Sequence, residues 1–139
     1  MTGRATIRAA WLALAALAAG GCDIVRGPTP LNDAPLIRQF GPYAFVDSDD
    51  QILQRSAYID LTANEQKSWD LQVIEPEDEP LTITVGPLPR GWSYNGQDRL
   101  LRTAPDHRQR NLTFTIYIVA EDSHDPPAYD TRVITFNVL

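Results

Sequence analysis

The chain is 139 residues long, 43% hydrophobic and 22% charged, with a formal net charge of −6 and a single cysteine. That length suits one domain able to bury its own core. The acid excess excludes nucleic acid and anionic headgroups as partners, since both are gripped by clustered Lys and Arg, and a lone cysteine excludes an intrachain disulfide.

The N-terminus opens with Arg4 and Arg8, runs through an Ala- and Leu-rich stretch from Ala9 to Ala19, and ends on Gly20-Gly21 before Cys22. Charged, apolar and small-residue zones in this order describe a secretory signal peptide. The apolar run is well short of the roughly 20 residues that cross a hydrocarbon core as a helix. With Cys22 next, residues 1–21 resemble a bacterial lipoprotein signal. The resemblance implies cleavage before Cys22, a diacylglyceryl group on its sulfur and an acylated amino terminus. At roughly 0.8 kcal/mol per buried methylene, two or more acyl chains hold such a protein on a membrane effectively for good. Location in the bacterial cell envelope follows, facing the periplasm or the exterior. Asp23 resembles the inner-membrane retention signal of enterobacterial lipoproteins, a rule other lineages do not share, so inner and outer membrane both stay open. The alternative is an ordinary secretory signal that leaves Cys22 a free thiol. Removing residues 1–21 takes away Arg4 and Arg8 but no acid, which moves the charge from −6 to −8 over the remaining 118 residues.

Residues 22–35 read as the lipidated cysteine and a flexible tether, because Gly27, Pro28, Pro30 and Pro35 break any regular element. Beyond it, residues 36–139 carry strand signals. Ile37 to Val46 supplies an edge strand interrupted at Gly41-Pro42, and Asp49 to Gln54 is a helical turn or a loop. Ala57 to Thr62 is a short strand. Trp69, Leu71 and Val73 share one face of the next, and Leu81, Ile83 and Val85 share one face of another; the acidic turn Glu75-Pro76-Glu77-Asp78-Glu79-Pro80 lies between them. Trp92 to Tyr94 and Arg99 to Thr103 are shorter candidates. From Asn111 to Ala120 the period of two is clearest, with Leu112, Phe114, Ile116, Ile118 and Ala120 on the inner face. Val133 to Leu139 repeats it through Ile134, Phe136 and Val138, joined to its neighbour by a long loop over Glu121 to Thr131. About seven short strands with Pro-, Gly- and Asp-rich turns predict an all-β antiparallel sandwich as a single domain.

Four motifs in order suggest a family. Asn32-Asp33-Ala34-Pro35, the acidic turn, Leu88-Pro89-Arg90-Gly91-Trp92, and Ala120-Glu121-Asp122 running to Pro126-Pro127 resemble cadherin-like repeats and their bacterial relatives of immunoglobulin-like and dystroglycan-type cadherin-like topology. The resemblance covers Asn32 to Leu139. It implies calcium, a hard cation taking six to eight oxygens. Its ligands would be Asp33 from the linker, Glu77 or Asp78 with Glu75 from the acidic turn, and Asp122 from the last loop. The turn reads Glu-Pro-Glu-Asp-Glu where the family has Asp-x-Asp with glycine, and the family's Leu-Asp-Arg-Glu-like motif is absent near Leu100. Plain solvated turns are the competing reading of these acids. Asp47, Asp49 and Asp50 lack the glycine and distal glutamate of an EF-hand loop and read as a solvated loop.

Catalytic signals are sparse. His107 and His124 are the two candidates for near-neutral acid/base work, and both sit in turn sequences beside acids. There is no nucleophile elbow, zinc-protease helix or phosphate loop. The chain is therefore expected to be a non-catalytic protein-binding or structural module, held by lipid and meeting an envelope or surface protein, with strand addition one route. Trp92 and Tyr94 keep a carbohydrate- or peptidoglycan-binding alternative open, since flat rings give large contact area at low entropic cost; core packing is the other reading of Trp92, and Trp69 is read as core. A small envelope hydrolase is the remaining rival.

Overall fold

The computed structural model describes residues 32–139; the signal segment, Cys22 and the tether up to residue 31 lie outside the described residues. Nine strands follow in chain order: β1 Leu36–Phe40, β2 Tyr43–Ala44, β3 Ser56–Leu61, β4 Lys67–Ile74, β5 Leu81–Gly86, β6 Ser93–Asn95, β7 Leu100–Thr103, β8 Thr113–Asp122 and β9 Tyr129–Val138. They form two sheets, ordered β2-β1-β4-β7-β6 and β3-β9-β8-β5. This is the expected sandwich, divided more finely because the segment Ile37 to Val46 turns at Gly41-Pro42 into β1 and β2, which pair antiparallel in one sheet with β2 at its edge. β1 pairs antiparallel with β4, whereas β3 crosses to the other sheet and runs parallel to β9, Ser56–Leu61 lying against Val133–Val138. The segment Asp49 to Gln54 is a loop, with Val46 and Ile52 forming an isolated bridge.

Period-two sequence becomes period-two burial. In β4, Trp69, Leu71 and Val73 point inward and their neighbours outward; in β8 and β9, Ile116, Ile118, Ala120, Ile134, Phe136 and Val138 are buried. Aromatic rings fill the centre. Trp69 stacks on Phe40 at 5.6 Å between centroids and lies 6.0 Å from Phe136, while Trp92 meets Phe136 edge-on at 5.2 Å and Phe114 at 5.5 Å. Truncating any of the fully enclosed rings to alanine costs about 3–5 kcal/mol. The Trp69 indole N–H donates to Thr103 Oγ1 at 3.0 Å, so its polar edge is satisfied inside the core. The β1–β2 turn requires Gly41. Its φ is +52°, and a Cβ there would stand 2.8 Å from the Trp69 ring.

Two sequence expectations change here. β9 starts at Tyr129, four residues earlier than Val133, so the β8–β9 loop is short, because Asp130 and Arg132 are polar yet face inward and hide the alternation. Leu112 precedes β8 and is 47% exposed, leaving Phe114 as the first inward residue of that strand.

Asp130 and Arg132 form a clasp between the sheets. Arg132 is fully buried; its Nη1 donates to Asp130 Oδ1 and to the Thr131 carbonyl, and its Nη2 to the Ile37 carbonyl at 3.2 Å. Asp130 Oδ2 accepts the Ile37 N–H at 2.8 Å. Both backbone groups of a β1 residue are thereby held by a charged pair from β9, and the guanidinium lies 5.4 Å from the centre of the Phe45 ring.

Candidate functional site

Three segments meet at one end of the sandwich: Asn32-Asp33 leading into β1, the β4–β5 turn from Glu75 to Pro80, and the end of β8 with the loop that follows it. Local hydrogen bonding shapes each. Glu75 Oε2 accepts the N–H groups of Glu77 at 2.9 Å and Glu79 at 2.7 Å, closing the acidic turn on itself, with Asp78 at its left-handed corner at φ +57°. Asp122 Oδ1 accepts the N–H groups of His124 and Ala128 at 3.1 and 2.9 Å, folding the β8–β9 loop around its own carboxylate. Glu77 Oε1 accepts the Asp33 N–H at 2.9 Å, which fastens the entering chain to the turn.

The remaining oxygens point to a ligand. Asn32 Oδ1, Glu75 Oε1, Glu79 Oε2 and Asp122 Oδ2 are all buried, and no group among the described residues donates a hydrogen bond to them. Glu75, Glu79 and Asp122 each offer a carboxylate oxygen within 4.8 Å of the other two. Buried acceptors are almost always satisfied, and three carboxylates this close repel one another. Burial opposes the ionisation of Asp122, but the Ala128 N–H, the Asn32 side chain, the His124 N–H and the His124 charge outweigh it and hold this carboxyl below the usual 3.8. The set consists of hard oxygen donors from carboxylates and one amide, the chemistry of a calcium-type cation.

A second grouping shares Glu79. Glu77, Glu79 and His124 also bring ligand atoms within 4.8 Å, with His124 Nδ1 3.4 Å from Glu79 Oε1. Glu79 thus faces the enclosed oxygens on one side and the exposed imidazole on the other.

The positions expected from sequence divide accordingly. Glu75 and Asp122 belong to the enclosed set and Glu77 to the outer one. Asp33 and Asp78 are exposed and outside both; Asp33 contributes its backbone N–H, while the neighbouring Asn32 presents the side-chain oxygen. Asn32, Glu79 and His124 are the residues that sequence reasoning missed. Spacing carried a signal for two of them: Glu79 lies in the same turn, four residues after Glu75, and His124 two residues after Asp122.

Elsewhere the candidates resolve into structure. Trp92 is 6% exposed and its ring is enclosed by Phe114 and Phe136, so it presents no flat face to a sugar. Tyr94 faces inward from β6, with its hydroxyl oxygen buried; desolvation raises its pKa against the opposing charge of Arg99. Asp47 Oδ1 accepts the N–H groups of Asp49 and Gln51, and Asp50 pairs with Arg38 at 2.8 Å, so this acidic run closes its own loop. His107 lies in a short 3-10 helix, His107–Gln109, capped by Asp106.

No family model matches this chain, and no curated protein does. Solved structures do. The third cadherin domain of human protocadherin 7 aligns with a TM-score of 0.53 at 14% identity, covering 81% of this chain and 91% of that domain. Human CDH23 EC21-23 aligns with a TM-score of 0.51 at 13% identity, over 78% of this chain and 34% of that one. A nucleoside hydrolase-related hypothetical protein from Saccharophagus degradans, associated with carbohydrate metabolism, aligns with a TM-score of 0.57 at 16% identity; 78% of this chain is covered but only 26% of that one, so this chain spans about a quarter of its length. At these identities the likeness is one of fold: an all-β sandwich of cadherin-like topology.

Proposed function

We propose that this protein is a non-catalytic binding module of the bacterial envelope, lipid-held at Cys22, whose acidic end takes up calcium. The observation that carries the cation reading is the convergence of the Glu75, Glu79 and Asp122 carboxylates within 4.8 Å, each with a buried oxygen that has no donor among the described residues, Asp122 itself being 4% exposed. Asn32, Glu75, Glu79 and Asp122 would hold the ion, and the ion would supply the positive charge that these loops lack. Because those residues come from the chain entry, the β4–β5 turn and the β8–β9 loop, cation uptake fixes three segments at once. The work of the module is then presentation: the acyl chains fix the base, the Pro-containing tether sets the reach, and the sandwich offers a rigid surface.

The test is thermal melting of the full mature protein in chelator and in calcium. Saturation at about a hundredfold over Kd adds roughly 2.7 kcal/mol, a rise of about 10 °C or more for a domain of this size. A shift below about one degree overturns the cation reading. The anchor is tested separately by mass spectrometry of protein extracted from its native membrane. The expected species starts at an acylated Cys22, and an intact Met1 or an unmodified thiol refutes the anchoring.

A further inference from the structure

The two outward sheet faces differ in chemistry. On the five-stranded sheet, β4 and β7 expose Asp70 and Arg102, and a depression over β6 and β7 is lined by Lys67, Ser68, Ser93 and Arg102 among others. Among the described residues, the strands of the four-stranded sheet turn no basic residue outward. Its strands turn outward Tyr58 from β3, Tyr117 from β8 and Tyr129 from β9, which are 72%, 49% and 63% exposed. Around them lie Thr82 and Thr84 from β5, Thr113, Thr115 and Val119 from β8, and Thr131, Val133 and Thr135 from β9. The charged residues of this face, Asp60 and Glu121, sit in register positions at its opposite ends, Asp60 beside Asn137 and Glu121 beside Tyr129.

We infer that this face is a platform for a neutral, extended polysaccharide. The occupant follows from charge and shape. A protein with excess acid that keeps charge off the middle of one face repels acidic polymers and offers that face to an uncharged one. Tyr rings present apolar faces to the C–H side of a pyranose, and the hydroxyls of Tyr and Thr both donate and accept, matching a ligand dense in hydroxyls. A protein partner would be met by a broad contiguous apolar area and by arginine; among the described residues this face carries no arginine, and its outward aliphatic side chains are Val119 and Val133 beside Tyr117, set among threonines. The register sets the ligand's length. Tyr58 lies opposite Thr135 and Thr135 opposite Thr115, two residues before Tyr117, so Tyr58 and Tyr117 are roughly 12 Å apart. Tyr117 lies opposite Val133, four residues after Tyr129, which separates that pair by roughly 14 Å. A ligand touching all three is a chain of sugars, not a single one. The proposal deepens the binding-module reading and is independent of the cation.

The experiment uses the full mature protein in detergent micelles, retained on cellulose, chitin and a soluble neutral glucan in affinity gels, with alginate as the anionic control. Retention on at least one neutral polymer is expected, falling about tenfold or more in Tyr58→Ala/Tyr117→Ala. The melting temperature and its calcium shift should stay unchanged in that variant, so failure here leaves the cation reading standing. Equal retention of the variant, absence of retention on every neutral polymer, or tighter retention on alginate overturns the proposal. So does a photo-crosslinker at position 58 that captures a protein in cells.

Discussion

Asp122 and Asp130 are both buried carboxylates on the inward faces of neighbouring strands, close enough that Ala120, two residues before one, pairs with the other. Their surroundings differ in one respect. Asp130 has a guanidinium bonded to it, a backbone N–H on each oxygen and Arg55 at 3.7 Å. Asp122 has two backbone N–H groups on Oδ1, the Asn32 side chain and the His124 imidazole nearby, no guanidinium, and two further carboxylates close by. The fold supplies a guanidinium to the first, whereas no group among the described residues donates to the free oxygen of the second. On the proposed cation reading, the sandwich places permanent and exchangeable positive charge side by side, one holding the sheets together and the other open to control by ion concentration.

The comparison breaks most sharply at the permanent charge. Arg132→Met strands Asp130 in the core and is expected to lower stability by about 3–5 kcal/mol, read as a drop in melting temperature in chelator. Adding Asp130→Asn, which keeps an acceptor for the Ile37 N–H, should bring the loss to within about 1–2 kcal/mol of the parent. A double variant as unstable as the single one would show that the pair is not coupled. At the proposed cation site a smaller effect with a change of sign is expected. Without calcium, Glu79→Gln relieves repulsion and should raise the melting temperature by about 2–4 °C, corresponding to roughly 0.5 kcal/mol. With calcium the same variant should melt below the parent. Destabilisation of equal size in both conditions would mean that Glu79 serves the turn alone.

Much of this could be read from residue order. Strands such as β4 and β8 carry their own alternation, and Trp69 among Leu71 and Val73 declared itself as core. What stayed hidden were inward polar groups. Asp130 and Arg132 look like surface residues until Ile37, more than ninety positions away, is seen to need both. The same distance problem affects the acidic end. Glu75 and Asp122 were legible from short motifs, but which neighbour completes the set depends on turn geometry: Asp78 is carried to the corner of its turn while Glu79 is brought back over Glu75. Trp92 was ambiguous because a residue just before a three-residue strand has no period to reveal its face. The Tyr58, Tyr117 and Tyr129 surface was invisible for a different reason, since those rings come from three strands whose adjacency is a matter of topology.

The parallel alignment of β3 with β9 bears on how the sandwich carries load. A pull that reaches β3 from the N-terminal side and β9 from its C-terminal end draws the two strands past each other along their length. The ladder between Ser56–Leu61 and Val133–Val138 is then strained in shear, with its rungs sharing the tension, and does not open one rung at a time like a zip. Forced rupture is governed by the unfolding barrier, not by equilibrium stability, so the resistance of this ladder to pulling is set separately from the domain's melting temperature.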